Sequence, residues 1–290
     1  MLIRIGYDIE FAVTAPMTLI YLLRVHPSRA PDLVGPESAS IAPALPIEDY
    51  VDGFGNRCAR VRIPAGVQSV RLRSGAVVRD SGRPDPLVPT ARQLDPGELP
   101  VETLPFVLPS RYCEVDSELL DFAWSSFGRT APGWARVQAI CDYVHDHIEF
   151  DYAAARATRT ALEAQCEGVG VCRDFAHLAV TLCRCLNIPA RYTTGYLGDI
   201  GVPRNDSPMD FSAWFEAFLD GRWYAFDARH NEPRIGRIVV ARGRDAGDVP
   251  ITMAFGDSRI RRFEVVTEEL RDAGGTTGEA GTFAHARIAA

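Results

Sequence analysis

A cysteine that follows a glycine-rich turn is the residue of this sequence best suited to chemistry. Cys172 comes after Gly168 and Gly170 and stands where an apolar periodic segment begins, which predicts a helix N-terminus. Unpaired amide groups and the helix dipole favour a thiolate there, and Arg173 adds a positive charge. The Cys172 amide could also donate to an oxyanion. The alternative is a buried structural cysteine like the other six.

The remaining cysteines do not form a recognisable framework. The total of seven is odd, and the spacing fits neither a disulfide scaffold nor a paired Cys-x-x-Cys metal site. The spacing of Cys166, Cys183 and Cys185 does not suit a metal site, so we expect no metal. We also expect no cofactor, because the sequence has no specific glycine-rich phosphate motif.

Composition limits the classes of partner. The 290-residue chain carries a net charge of −7 and contains no lysine, so its 31 basic residues are all arginine. This acidic balance argues against nucleic acid and against an anionic membrane as the main partner. The apolar run over residues 11–23 is broken by Pro16 and is not preceded by a cluster of basic residues. We therefore expect no signal peptide and a cytoplasmic location. The oligomeric state is not indicated.

The periodicity of apolar residues predicts the strands and helices that could position Cys172. Residues 1–105 alternate apolar and polar side chains, as in 3–11 and 58–63, and predict an N-terminal β-sandwich-like domain and linker. The segment 67–78 is interpreted as a further hairpin. The proline-rich stretch 86–109 is interpreted as an ordered linker or crossing arm.

The second half changes pattern. Helices are predicted over 117–127, with Ser117 as cap, over 134–148 and over 172–186. Strands are predicted over 190–197, 212–219, 222–227, 235–241 and 260–266. We therefore predict a core domain over 106–268, in which helices pack on an antiparallel sheet, and a disordered tail over 269–290.

Several motifs follow one another in order along the second half. They are Gly170-Val171-Cys172-Arg173-Asp174-Phe175, then Cys185-Leu186-Asn187-Ile188-Pro189-Ala190-Arg191-Tyr192, then Ala213-Trp214-Phe215-Glu216 and Tyr224-Ala225-Phe226-Asp227. Together, in this order, they resemble the transglutaminase-like superfamily. The resemblance covers roughly residues 110 to 245. It implies an α+β protein with a papain-like core and a Cys-His-Asp triad.

The resemblance assigns the triad residue by residue. Cys172 matches the nucleophile, and Asp227 matches the residue that orients the base. The histidine of the family motif His-Ala-Trp-x-Glu is replaced by Ser212. A serine hydroxyl cannot accept a proton at neutral pH or form a thiolate–imidazolium pair.

Other histidines are candidates for the missing base. His230 lies three residues past Asp227 and is close enough in sequence to approach the cleft. His177 lies about 140° around the helix from Cys172 and is interpreted as a core residue. Tyr152 and Gln165 are candidate oxyanion donors, with a packed tyrosine and a surface glutamine as the alternatives.

Two functions remain open. The first is a cysteine-dependent, protease-like amide hydrolase or acyl transferase that acts through a Cys172 thioester. The second is a catalytically degenerate member of the family that binds a peptide or protein partner in the cleft. Ser212 favours the second function, and Cys172 with Asp227 favours the first.

Overall fold

The computed structural model describes residues 1–204 and 208–270. Its strands are β1 (Leu2–Val13), β2 (Met17–Tyr21), β3 (Ser38–Ala42), β4 (Ile47–Val51), β5 (Arg57–Ile63), β6 (Ser69–Arg79), β7 (Glu149–Phe150), β8 (Val169–Gly170), β9 (Ala190–Tyr196), β10 (Ser212–Leu219), β11 (Arg222–Phe226), β12 (Ile238–Gly243), β13 (Thr252–Phe255) and β14 (Ser258–Leu270). Its α-helices are α1 (Leu119–Phe127), α2 (Trp134–His147), α3 (Ala161–Glu167) and α4 (Cys172–Cys185).

The N-terminal strands form a sandwich of two four-stranded sheets. One sheet has the order β14-β1-β6-β3, and the other has the order β13-β2-β5-β4. Alternate residues of β1, including Ile3, Ile5 and Ile9, are buried and share one apolar core with Leu19 and Val61 of the facing sheet. The β-sandwich expected from the alternation is therefore confirmed, because each sheet buries one apolar face against the other.

The segment 67–78 is one continuous strand, and its interpretation as a hairpin was wrong. β6 runs antiparallel to β1 over its whole length, and Gly75 lies opposite Gly6. A Cβ atom added at Gly6 would lie 2.7 Å from the carbonyl oxygen of Ser74. The glycines that resemble a turn in the sequence instead allow the backbones of two paired strands to approach closely.

Both ends of the described chain contribute to the sandwich. β13 pairs with β2, and β14 pairs with β1 from Leu2 to Val13. The expectation that residues up to 268 belong to the core domain is corrected for these two strands, which complete the N-terminal sheets. Residues 269 and 270 end β14 rather than begin a tail. The rest of the tail, 271–290, lies outside the described residues.

The second half is built around a buried helix on an antiparallel sheet. The sheet has the order β11-β10-β9-β12, and α4 lies against β9 and β10. Leu178 and Leu182 of α4 are fully buried in a core that also contains Phe215 of β10. The three predicted helices and the strands that follow them are present, so the α+β class is confirmed. In the part of the chain described here, no helix is both long and apolar enough to cross a membrane.

The proline-rich stretch is an ordered arm that crosses the second half, as expected. Gln93 donates to the carbonyl oxygen of Leu186 at 2.8 Å, and Asp85 accepts a hydrogen bond from the Arg237 guanidinium at 2.7 Å. The sequence analysis missed α3, although its start has a capping box in which Thr160 and Glu163 bind each other's backbone amides.

Candidate active site

A tight turn and a buried carboxylate fix the start of α4. Gly168 ends α3 with φ of +64°, a conformation that favours glycine. At Gly170 a Cβ atom would lie only 2.7 Å from a carboxylate oxygen of Asp174, so this glycine is needed for close packing. Asp174 accepts the Val171 amide at 2.9 Å and pairs with buried Arg159 at 2.9 Å. These contacts hold the residue between them, Cys172, in one place.

Cys172 lies at the free edge of the sheet. β11 pairs with β10 only from Phe215 to Leu219, so the edge of β10 is unpaired on that side at Ser212 and Ala213. The half-buried Cys172 thiol occupies this position and accepts a hydrogen bond from the Ala213 amide. The predicted helix N-terminus is therefore present, and the thiol faces the strand that carries position 212.

The surroundings of Cys172 favour the neutral thiol. Burial raises the pKa of Cys172 to about 11, and the negative charges of Asp210 and Asp227 add to this effect. Arg229 and the Ala213 amide act in the opposite direction but do not outweigh burial. At neutral pH the sulfur is consequently a thiol, although it lies at a helix N-terminus.

Strand register places Ser212 and Asp227 on the same face of the sheet. Phe215 lies opposite Phe226, and the same antiparallel register continued by one residue puts Asp227 opposite Trp214. Because side chains alternate along a strand, Ser212 shares the face of Trp214. In the part of the chain that is described, the buried hydroxyl of Ser212 has no hydrogen-bond partner.

Asp227 is a buried carboxylate engaged by an arginine and a histidine. Arg237 lies 3.0 Å from its Oδ2 atom, with its guanidinium also near the Trp214 ring, at 5.0 Å from the ring centroid. His230 Nδ1 lies 2.9 Å from the same oxygen. Burial alone would raise the pKa of Asp227, but Arg237 and the hydrogen bond from His230 hold it well below its usual range. Asp227 is therefore ionised and already paired.

None of the described histidines hydrogen-bonds the Cys172 thiol. His230 is brought to Asp227 as its position in the sequence suggested, and its role as a base stays a prediction. His177 is fully buried, stacks on Tyr112 and accepts the Ala246 amide at 3.1 Å, which confirms its interpretation as a core residue. Burial holds the pKa of His177 well below its usual range.

The other two described histidines of the second half hydrogen-bond backbone carbonyl oxygens. Nδ1 of His145 lies 2.9 Å from the carbonyl oxygen of Arg229. Nε2 of His147 lies 2.7 Å from the carbonyl oxygen of Gln165.

Three polar side chains that the sequence analysis did not assign together lie around the thiol. Arg229 and Asp210 are the charges that act most strongly on Cys172, and Arg229 hydrogen-bonds Tyr152. Crowding by protein atoms raises the pKa of Asp210 to about 6, against the opposing effects of the Phe211 amide and Arg229. Arg229 could have been noticed from its place two residues after Asp227, but no spacing rule connects it to Tyr152.

The structure supports only one of the two candidate oxyanion donors. Tyr152 is 46% exposed and lies near Cys172, so it stays a candidate. The Gln165 amide group donates to the Tyr143 hydroxyl of α2, and no hydrogen bond joins it to the Cys172 thiol among the described residues. Its interpretation as an oxyanion donor is therefore not supported.

Comparison with known proteins agrees with this geometry. Residues 125–228, which include Cys172, Ser212 and Asp227, match the family model described as "Transglutaminase-like superfamily". A solved structure described as a "putative cysteine protease" from Cytophaga hutchinsonii has a TM-score of 0.79 and 29% sequence identity. It covers 97% of this chain, and 94% of that structure is matched.

Two mycobacterial relatives are uncharacterised proteins. One, from Mycobacterium leprae, is 32% identical over 143 residues, which is 47% of this chain and 50% of the relative. The chain thus spans about half the length of that protein. The other, from Mycobacterium tuberculosis, is 26% identical over 218 residues, or 69% of this chain and 68% of the relative.

The fold and site define a papain-like α+β protein with a cysteine at the start of its central helix. This architecture, the family match over residues 125–228 and the whole-length structural likeness show that this chain contains a transglutaminase-like core.

Proposed function

We propose that this protein binds a peptide or protein segment in the cleft around Cys172 and that it is a catalytically degenerate member of its family. The observation that carries the proposal is Ser212 at the position of the triad base, with no histidine among the described residues on the Cys172 thiol. A cleft that keeps its shape but lacks a base retains binding and loses chemistry.

The arrangement around Asp227 supports the same proposal. In a complete triad this carboxylate orients the imidazole, but here Arg237 and His230 occupy it. The Ser212 hydroxyl can donate or accept a hydrogen bond but has no basicity near neutral pH. The thiol, with a pKa of about 11, is then a poor nucleophile.

Restoring the base tests the proposal. Wild type and Ser212→His are treated with p-nitrophenyl acetate at pH 7, and acetylation of Cys172 is followed by peptide mass spectrometry. We expect slow acetylation of the wild type and an increase of at least ~100-fold in Ser212→His, since a positioned general base contributes about 10²–10⁴-fold.

Two control variants make the result specific. Ser212→Asn introduces a polar side chain of similar reach without a base and should leave the acetylation rate unchanged. Cys172→Ala reports acetylation at other sites. Rapid acetylation of wild-type Cys172 at pH 7 would contradict the proposal of degeneracy.

The second candidate is a cysteine-dependent amide hydrolase or acyl transferase. It is favoured by the hydrogen-bonded pair of Asp227 and His230, which could supply a base if His230 approached the thiol. Cys172 would then attack an amide carbonyl, form a thioester and pass the acyl group to water or an amine. This candidate requires that wild type be active and that His230→Ala abolish the activity.

The peptide or protein ligand and the cytoplasmic location are part of this proposal. The acidic net charge supports a partner other than nucleic acid or an anionic membrane.

A further inference from the structure

An arginine is held at the entrance to the thiol by contacts along its whole length. The backbone amide of Arg229 donates to Asp227 Oδ1 at 3.1 Å, and its carbonyl oxygen lies 2.9 Å from Nδ1 of His145. Its guanidinium carbon lies 3.8 Å from the centroid of the Phe150 ring. Cation–π stacking of this kind fixes a charged group without neutralising it.

The aromatic support of Arg229 is tied to the segment that carries the nucleophile. Phe150 pairs with Gly170 in a two-stranded parallel sheet, two residues before Cys172. The Phe150 ring also packs edge-on against Tyr152, at 4.9 Å between centroids. Backbone pairing thus links Phe150 to the segment of Cys172, and ring contacts link Phe150 to Arg229 and Tyr152.

The positive charge of Arg229 is available to a ligand. Across residues 1–204 and 208–270, no carboxylate lies within salt-bridge distance of its guanidinium. Asp210 acts on Cys172 with the opposite sign but does not form an ion pair with Arg229. Tyr152, which is partly exposed beside Arg229, supplies a further hydroxyl donor.

We propose that Arg229 and Tyr152 form an anion-recognition subsite next to Cys172, so that the cleft selects peptide ligands that carry a carboxylate beside the group lying on the thiol. This inference rests on the proposed function, because it specifies the chemistry of the segment that the cleft binds. An arginine fork and a phenol hydroxyl match the two oxygens of a carboxylate.

Two alkylating reagents of equal reach but different charge test the subsite. Iodoacetate carries a carboxylate, whereas iodoacetamide is its neutral counterpart. Second-order rate constants for Cys172 are measured with both reagents at pH 9.5 and low ionic strength by peptide mass spectrometry. We expect Arg229→Gln to lower the ratio of the iodoacetate to the iodoacetamide rate constant at Cys172 on the order of tenfold.

Three further variants make the comparison quantitative. Tyr152→Phe removes the hydroxyl and should lower the ratio by a smaller factor. Asp210→Asn removes the opposing charge and should raise it. Arg222→Gln removes an exposed arginine at the hairpin between β10 and β11 and should leave the ratio unchanged. Equal ratios in wild type and Arg229→Gln would overturn the proposal.

A competition experiment distinguishes whether the subsite binds the carboxylate of an acidic side chain or that of a chain end. The measured quantity is the protection of Cys172 from alkylation. Three acetylated dipeptides compete with iodoacetamide for Cys172: one with a glutamate side chain and an amidated end, one with a free C-terminal carboxylate, and one without charge. Stronger protection by the first or the second assigns an acidic side chain or a chain end, respectively. Equal protection by the uncharged dipeptide contradicts anion selection. Failure of the Ser212→His experiment would not affect these ratios, so the two proposals fail independently.

Discussion

The two halves of the candidate site differ in how completely their polar groups are paired. On the helix side, the buried Asp174 carboxylate binds Arg159, Arg173 and the Val171 amide. On the strand side, the buried Ser212 hydroxyl has no partner among the described residues. The helix side thus surrounds its buried carboxylate with paired groups, whereas the strand side presents a buried hydroxyl that hydrogen-bonds no described residue.

The difference indicates that the position of Cys172 does not depend on the triad. Asp174 and Gly170 set the start of α4 through contacts with each other, with the Val171 amide and with Arg159, none of which involves Asp227. Asp227 in turn is held by Arg237 and His230 without any contribution from position 212. Among the described residues, the contacts that hold the start of α4 and those that hold Asp227 are therefore separate, and neither set includes the side chain of position 212.

The largest expected effect is on the helix side. Asp174→Ala leaves Arg159, which is only 4% exposed, without one of its two carboxylate partners. We expect the free energy of unfolding to fall by about 3–5 kcal/mol, as when one member of a buried ion pair is removed. Urea denaturation followed by circular dichroism measures this loss.

A control for Asp174→Ala is available on α2. Asp146→Ala removes an exposed carboxylate and should change the unfolding free energy by no more than about 0.5 kcal/mol. If Asp174→Ala were no more destabilising than Asp146→Ala, the helix side would not depend on its buried carboxylate, and the contrast between the two halves would disappear.

A much smaller effect is expected on the strand side. Ser212→Ala removes a buried hydroxyl that has no partner among the described residues, so the unfolding free energy should change by less than about 1 kcal/mol, in the direction of greater stability. The same denaturation experiment applies. Leaving the buried partner of a hydroxyl unsatisfied costs roughly 1–3 kcal/mol. A fall of about 2 kcal/mol or more in the unfolding free energy would therefore show that Ser212 takes part in a polar network.

Much of the fold could be predicted because its signals are local. The alternation in β1 and the apolar stripe of α4 identify these elements directly. The hairpin wrongly predicted within 67–78 shows the limit of this approach. Gly75 resembles a turn residue until Gly6 is placed opposite it, and that pairing joins residues far apart in sequence.

The candidate site was predictable where a motif defines it and not elsewhere. Cys172, Ser212 and Asp227 lie in ordered motifs that can be compared position by position with a family. Arg237 and Arg229 reach the site through packing on Trp214 and Phe150, and no sequence pattern specifies these ring contacts. Their consequences for charge at the thiol follow only from the three-dimensional arrangement.

The central claim is that Cys172 stays a protonated thiol at neutral pH, because burial disfavours the thiolate and no described histidine hydrogen-bonds the sulfur. The direct test is the rate of Cys172 alkylation by iodoacetamide between pH 6 and pH 12, with exposed Cys166 as an internal reference and circular dichroism to confirm folding. We predict a rate that rises with pH to an inflection near 11, because burial raises the pKa of the thiol to about 11. Rapid alkylation that persists from neutral pH down to pH 6 would reveal an activated thiolate and contradict this account.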